Sequence, residues 1–137
     1  MPMAKILVLD NSPALLDVFS MIIKINGHEP VIAQSVGELK TKVAEQNPDL
    51  LIIDVRLNAF NGKDLCKQIK SNPDTKHIPV LLASASPELL EDYEDCEADD
   101  ILEKPFELST VVNKMEKLLK KTFTDNAASH TISNANH

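Results

Sequence analysis

The chain has 137 residues, enough for one domain of ordinary size and short for two. With 43% hydrophobic and 26% charged residues it has the balance of a chain that folds around a core, which excludes disorder along its whole length. Fourteen Lys and Arg against 21 Asp and Glu leave a net charge of −7, a field that repels phosphate backbones and anionic lipid and so argues against direct binding to nucleic acid or membrane.

Ile6-Leu7-Val8-Leu9 is a continuous apolar run that stops at Asp10-Asn11-Ser12-Pro13, the pattern of a buried strand entering a loop. Leu15, Val18, Phe19, Ile22 and Ile23 then recur at helical spacing, with Ser12 able to cap, Pro13 suited to the first turn and Gly27 marking the end. Pro30 to Ala33 reads as a second strand. Val36, Leu39 and Val43 mark the inner face of a second helix, closed by Asn47-Pro48. Leu50 to Ile53 repeats the first arrangement and runs into Asp54. A loop over Asn58 to Gly62 leads to a helix carrying Leu65, Cys66 and Ile69, which Asn72-Pro73-Asp74 breaks. Ile78 to Ala83 is the fourth strand, ending at Ser84. The spacing predicts a weaker helix around Leu89, Leu90 and Tyr93, a short strand near Asp100 to Glu103, and a last helix with Leu108, Val111, Val112, Met115, Leu118 and Leu119 on one stripe.

Five alternations of strand and helix, with strands apolar throughout, predict an α/β fold: a doubly wound parallel sheet covered by helices on both faces. The folded unit spans residues 1–121. Residues 122–137 are rich in Asn, Ser, Thr and Ala and read as a flexible tail, whose His130 and His137 are too few and too far apart for a metal site. Cys66 and Cys96 match no metal or CxxC spacing, and no signal peptide or membrane-spanning run is visible, so the expected compartment is the cytoplasm with both thiols reduced.

Ligands of such sheets bind at the carboxyl ends of the strands. The residues directly after the apolar runs are Asp10 with Asn11, Asp54, Ser84 and Lys104: two carboxylates, an amide, a hydroxyl and an ammonium at one edge. Each alone has an ordinary explanation as a turn residue, a cap or a surface charge. Together they are an oxygen-rich set suited to a hard cation such as Mg²⁺, with a lysine to balance anionic charge.

From about Lys5 to Lys120 the chain resembles the receiver domains of bacterial two-component response regulators. The motifs are Ile6 to Asn11, Asp49 to Asp54 with Gly62 eight residues on, Pro79 to Ala85, and Ala98 to Phe106. The resemblance implies a flavodoxin-like, five-stranded parallel sheet of order 2-1-3-4-5, and a signalling switch rather than an enzyme with turnover. It implies that Asp54 accepts a phosphoryl group from a sensor histidine kinase, a phosphotransfer protein or a small donor. Asp10, Asn11, Asp54 and the backbone carbonyl of Arg56 would hold Mg²⁺. Lys104 would pair with the phosphoryl group, Ser84 would turn its hydroxyl onto it, and Lys104-Pro105 would be a cis bond.

Three positions depart from the family pattern. Asn11 replaces a second acid, which predicts weaker Mg²⁺ affinity. Ile101 stands where many members carry Tyr or Phe, which predicts muted switching at that face. Asn58-Ala59 replaces a frequent Pro-Gly and reads as ordinary loop variation. Arg56 and Ser86 match positions that in this family tune water access to the phosphoryl group, which implies slowed loss of phosphate through a guanidinium contact or, for a solvent-facing Arg56, no such effect; small Ala85 would leave the site open to small donors.

Residues 88–103 carry nine acids and no Lys or Arg, which favours a basic downstream protein partner, or else marks a solvated face. The resulting expectation is a single-domain response regulator that acts through protein contact, with phosphorylation-dependent homodimers among its assemblies. The alternative is a degenerate receiver serving as a phosphorylation-independent interaction module, for which Asn11 and Ile101 speak. A metal-dependent phosphatase ranks lower, because Arg56 stands where it needs a second acid. A flavin protein ranks lower still, because no phosphate loop follows the first strand.

Overall fold

A computed structural model describes the backbone of residues 3–135 and the side chains of residues 3–123. Five parallel strands, β1 (Lys5–Leu9), β2 (Glu29–Ala33), β3 (Leu50–Asp54), β6 (Val80–Ser84) and β7 (Asp100–Glu103), form one sheet in the order β2-β1-β3-β6-β7. This is the doubly wound order that the resemblance implied. Between β3 and β6 lie a short antiparallel hairpin, β4 (Arg56–Leu57) and β5 (Phe60–Asn61), and helix α3 (Gly62–Ser71).

The central strands are buried on both sides, which is why they read as unbroken apolar runs. Alternate side chains feed two cores. Ile6, Val8 and Ile52 pack with Leu16, Phe19 and Ile23 of α1 (Pro13–Ile25) and with Val111, Met115 and Leu119 of α4 (Leu108–Ala135). Leu7, Leu9, Leu51 and Ile53 pack on the other side with Leu39 of α2 (Val36–Gln46) and with Leu65, Cys66 and Ile69 of α3. Each fully buried Leu or Ile contributes roughly 1.5–3 kcal/mol relative to exposure.

Local chemistry sets the helix ends. Ser12 Oγ accepts from the Leu15 N–H at 3.3 Å, Pro13 occupies the first turn of α1, and Gly27 follows its end with φ 84°. Asn47 closes α2 in the left-handed conformation at φ 49°. The Lys42 ammonium donates to the Ile32 carbonyl at 2.5 Å, covering an unpaired group on edge strand β2.

One expectation is corrected. Where the sequence suggests a helix around Leu89 to Tyr93, the chain forms two 3-10 turns, Pro87–Leu89 and Tyr93–Cys96, the second ended by Glu97 at φ 64°. On an α-helix, Glu88, Glu91, Asp92, Glu94 and Asp95 would face one another three and four residues apart without an intervening Lys or Arg, each such pair costing a few tenths of a kcal/mol. Helix α4 runs on through Thr122 to Ala135, within the stretch read from the sequence as a tail. No Gly or Pro occurs after Pro105 to stop it, and Phe123 packs against the first core. The side chain of His130, and His137 altogether, lie outside the described residues.

Candidate functional site

The carboxyl ends of β1, β3, β6 and β7 bring the expected residues to one edge. Asp10 follows β1, Asp54 ends β3, Ser84 ends β6 and Lys104 follows β7. Parallel register sets their level: Leu9 lies beside Ile53, and Asp54 beside Ala83. All but Lys104 are nearly inaccessible, with Asp10 at 2%, Asp54 at 7% and Ser84 at 1% exposure.

Lys104 joins the acids. Its Nζ lies 2.7 Å from Asp10 Oδ2 and 3.2 Å from Asp54 Oδ1, so one ammonium bridges two buried carboxylates. Its backbone N–H donates to the Ser84 carbonyl at 2.9 Å, and the Lys104-Pro105 bond is cis. Asp10 Oδ1 accepts from the Ser12 N–H at 2.9 Å, fixing the carboxylate at the start of α1. Ser84 Oγ accepts from the Ser86 N–H at 3.0 Å, which leaves its own proton for another acceptor. Asn11 Nδ2 donates to Asn58 Oδ1 at 3.0 Å.

Two acids share one lysine, but burial is the largest influence on Asp54. Burial raises its pKa above the usual carboxylate value, Lys104 opposes that, and the Asp10 charge adds to it; the Arg56 backbone N–H donates to the carboxylate and lowers it. A carboxyl raised in the fold binds its proton more tightly folded than unfolded. Its stabilising contribution is complete below the unfolded value near 3.8 and is lost as pH rises through the folded value. Asp54→Asn is therefore expected to stabilise the protein at pH 7.5, with the gain shrinking toward pH 4. Urea unfolding at the two pH values checks this, and a loss of stability at pH 7.5 would contradict it.

The donor set fits a divalent cation. The Asp10 and Asp54 carboxylates and the Asn11 amide oxygen are hard oxygens, and Mg²⁺ commonly uses only one or two carboxylates. Among the described residues no group of three or more acids, histidines or cysteines converges. Arg56 is exposed on the hairpin, and Ile101 is half-buried against the second core.

The remaining groups are structural. Cys66 Sγ lies 3.3 Å from the Cys96 carbonyl, both cysteines are buried, and burial with the neighbouring Cys96 pushes the Cys66 thiol well up. Of the nine acids at 88–103, three meet lysines: Asp92 with Lys63, Asp99 with Lys70 and Asp100 with Lys114, at 2.5, 2.9 and 3.2 Å. Glu88, Glu91, Glu94, Asp95, Glu97 and Glu103 are exposed. Sequence reasoning missed His28, which is buried with Nδ1 accepting from the Ala4 N–H at 3.0 Å and Nε2 lying 2.9 Å from Glu116 Oε1.

A five-stranded doubly wound sheet with two acids, a hydroxyl and a lysine at the carboxyl ends of its strands defines the receiver class of signalling domains. Residues 6–116 match the family model for the response regulator receiver domain, and the chain belongs to that family. Response regulator MprA of Mycolicibacterium vanbaalenii is 31% identical over 126 residues, covering 90% of this chain and 54% of the relative. RpaA of Synechocystis, named a DNA-binding dual master transcriptional regulator, is 29% identical over 88% of this chain and 51% of its own length. The chain thus spans about half the length of these curated relatives. Among solved structures, chemotaxis response regulator CheY4 of Vibrio cholerae superposes with a TM-score of 0.78 at 25% identity, covering 85% of this chain and 99% of that one. The receiver domain of a histidine kinase from Syntrophus aciditrophicus gives 0.79 at 27%, covering 86% and 91%.

Proposed function

We propose that this receiver is a working phosphorylation switch in which Asp54 is the acceptor, Lys104 and Ser84 serve the phosphoryl group, and Asp10, Asn11, Asp54 and the Arg56 carbonyl hold Mg²⁺. The observation that carries the reading is Lys104 Nζ bridging Asp10 and Asp54, because the cationic partner already sits where negative charge would arrive. A carboxylate oxygen of Asp54 attacks phosphorus as the bond to the donor's imidazole nitrogen breaks, and that nitrogen keeps the electron pair. Lys104 pairs with the phosphoryl oxygens in place of the Asp54 carboxylate, and Ser84 donates its free proton to one of them. Mg²⁺, when bound, neutralises charge on the transferring group.

Helix α1 supplies a surface for a protein donor such as a sensor kinase. Ala14, Val18, Met21 and Ile25, spaced four, three and four residues apart, form an outward stripe starting one turn from the site, with Val18, Met21 and Ile25 37%, 56% and 73% exposed. The exposed acids of 88–103 suit a basic downstream partner. The degenerate-module reading gains nothing from Asn11, whose amide oxygen remains a competent donor.

Intact-mass analysis after incubation with acetyl phosphate tests the reading. One phosphoryl adduct that needs both Mg²⁺ and Asp54 is expected; no adduct, where a control receiver is labelled, leaves the degenerate module. Met21→Glu is expected to slow labelling by a phosphohistidine protein donor about tenfold and leave acetyl phosphate labelling unchanged. Equal slowing with both donors would instead mean damage to the site.

A further inference from the structure

Two departures of this chain from the receiver pattern, at positions 11 and 58, touch one another. Asn11 Nδ2 donates to Asn58 Oδ1 at 3.0 Å across 47 residues of sequence. An aspartate at position 11 would offer oxygen whichever way its carboxylate turned. An asparagine offers oxygen one way and an NH₂ group, which cannot ligate a cation, the other. The substitution therefore creates an orientation problem that an acid does not have.

We propose that Asn58 is a positioning residue that solves this problem: it engages the NH₂ end of Asn11 and leaves the amide oxygen as the end free for a divalent cation. The inference rests on the cation site described under Proposed function. Asn58 is well supported for the task. It sits in the two-residue turn between β4 and β5, whose strands pair through Arg56 with Asn61 and Leu57 with Phe60. Leu57 and Phe60 pack against the second core, and the Gly62 N–H closes the hairpin's base on the Val55 carbonyl at 2.7 Å. The turn itself does not call for asparagine. Among the described residues the only non-glycine positions with positive φ are Asn47 and Glu97, so Asn58 adopts a conformation open to most residues. What its side chain adds is the Oδ1 that the Asn11 NH₂ group meets.

The test is a four-protein cycle on the full chain: wild type, Asn58→Ala, Asn11→Asp and the double variant. Free Mn²⁺ is followed by electron paramagnetic resonance, Mg²⁺ competition reports the same site, and urea midpoints check the fold. In the wild-type background Asn58→Ala is expected to weaken Mn²⁺ binding about tenfold. In the Asn11→Asp background, where either oxygen serves, Asn58→Ala is expected to change the affinity less than twofold. An unchanged affinity in the wild-type background, or equal loss in both backgrounds, overturns the proposal; the second would mark Asn58 as general support for the hairpin. A wild-type protein that binds no Mn²⁺ at millimolar concentration overturns the cation reading and this inference together, whereas binding with an unaffected Asn58→Ala overturns this inference alone.

Discussion

Gly62→Ala is expected to destabilise the protein by roughly 3 kcal/mol or more, as measured by urea unfolding. A Cβ at this position would lie 2.2 Å from the Asp54 carbonyl oxygen and 2.9 Å from both the Asp54 carbonyl carbon and the Val55 Cα. All three are backbone atoms, so no side chain can swing aside. The glycine is required by close approach of two backbones rather than by a left-handed conformation. Its own N–H donates to the Val55 carbonyl at 2.7 Å, and the Val55 N–H donates to Ala83 at 2.9 Å, so relief at Gly62 would drag the end of β3 away from β6. That movement would carry Asp54 with it, and slower labelling by acetyl phosphate should accompany the loss of stability. Gly37→Ala is the control. Nothing lies within 4 Å of its added Cβ, and in the first turn of α2 alanine should be neutral or stabilise by up to about 1 kcal/mol. A Gly62→Ala protein within 1 kcal/mol of wild type, with an unchanged denaturant slope, would remove the steric argument.

The ends of the central strands were legible because a parallel sheet buried on both faces leaves an unmistakable pattern, an apolar run cut off by a polar residue. Asp10, Asp54 and Ser84 all stand at such breaks, and Lys104 follows the fifth strand. Parallel pairing then puts all four at one edge, so their convergence follows from the fold class. The pairings were not legible. His28 meets a backbone N–H 24 residues away and a carboxylate 88 residues away, and Asp99 accepts from both the Val80 N–H at 2.8 Å and Lys70 at 2.9 Å. No periodicity reports contacts of that kind. The hydrogen bond between Asn11 and Asn58 was hidden for the same reason, and Asn58 read alone as loop variation. The segment after β6 misled in a different way. Its Leu89, Leu90 and Tyr93 have helical spacing, yet the like charges between them favour short turns. Charge repulsion there overrode a weak apolar signal.

Lys104→Ala should have the largest effect on both function and stability. The Lys104 side chain is only 13% exposed, and it is the cation that the structure places between Asp10 and Asp54. Without it two buried carboxylates face each other uncompensated, a defect that typically costs 3–5 kcal/mol near neutral pH. The pH dependence distinguishes this defect from simple loss of packing. Removing Lys104 removes the main influence that lowers the Asp54 pKa, while burial and the Asp10 charge continue to raise it. The folded variant then holds its carboxyl proton more tightly still, so its stability falls further as pH climbs through the raised value. On acidification the deficit relative to wild type should shrink, because a neutral Asp54 no longer repels Asp10. Urea unfolding at pH 5 and pH 8 is expected to show the larger deficit at pH 8, and an equal deficit at both would point to the lost alkyl chain instead. Labelling of Asp54 by acetyl phosphate should slow by about 100-fold or more, the usual consequence of deleting one preorganised partner of developing negative charge. Lys104→Met keeps much of the chain's bulk without its charge. It should therefore match Lys104→Ala in the labelling rate and in the pH trend, and recover only the part of the stability that packing supplies.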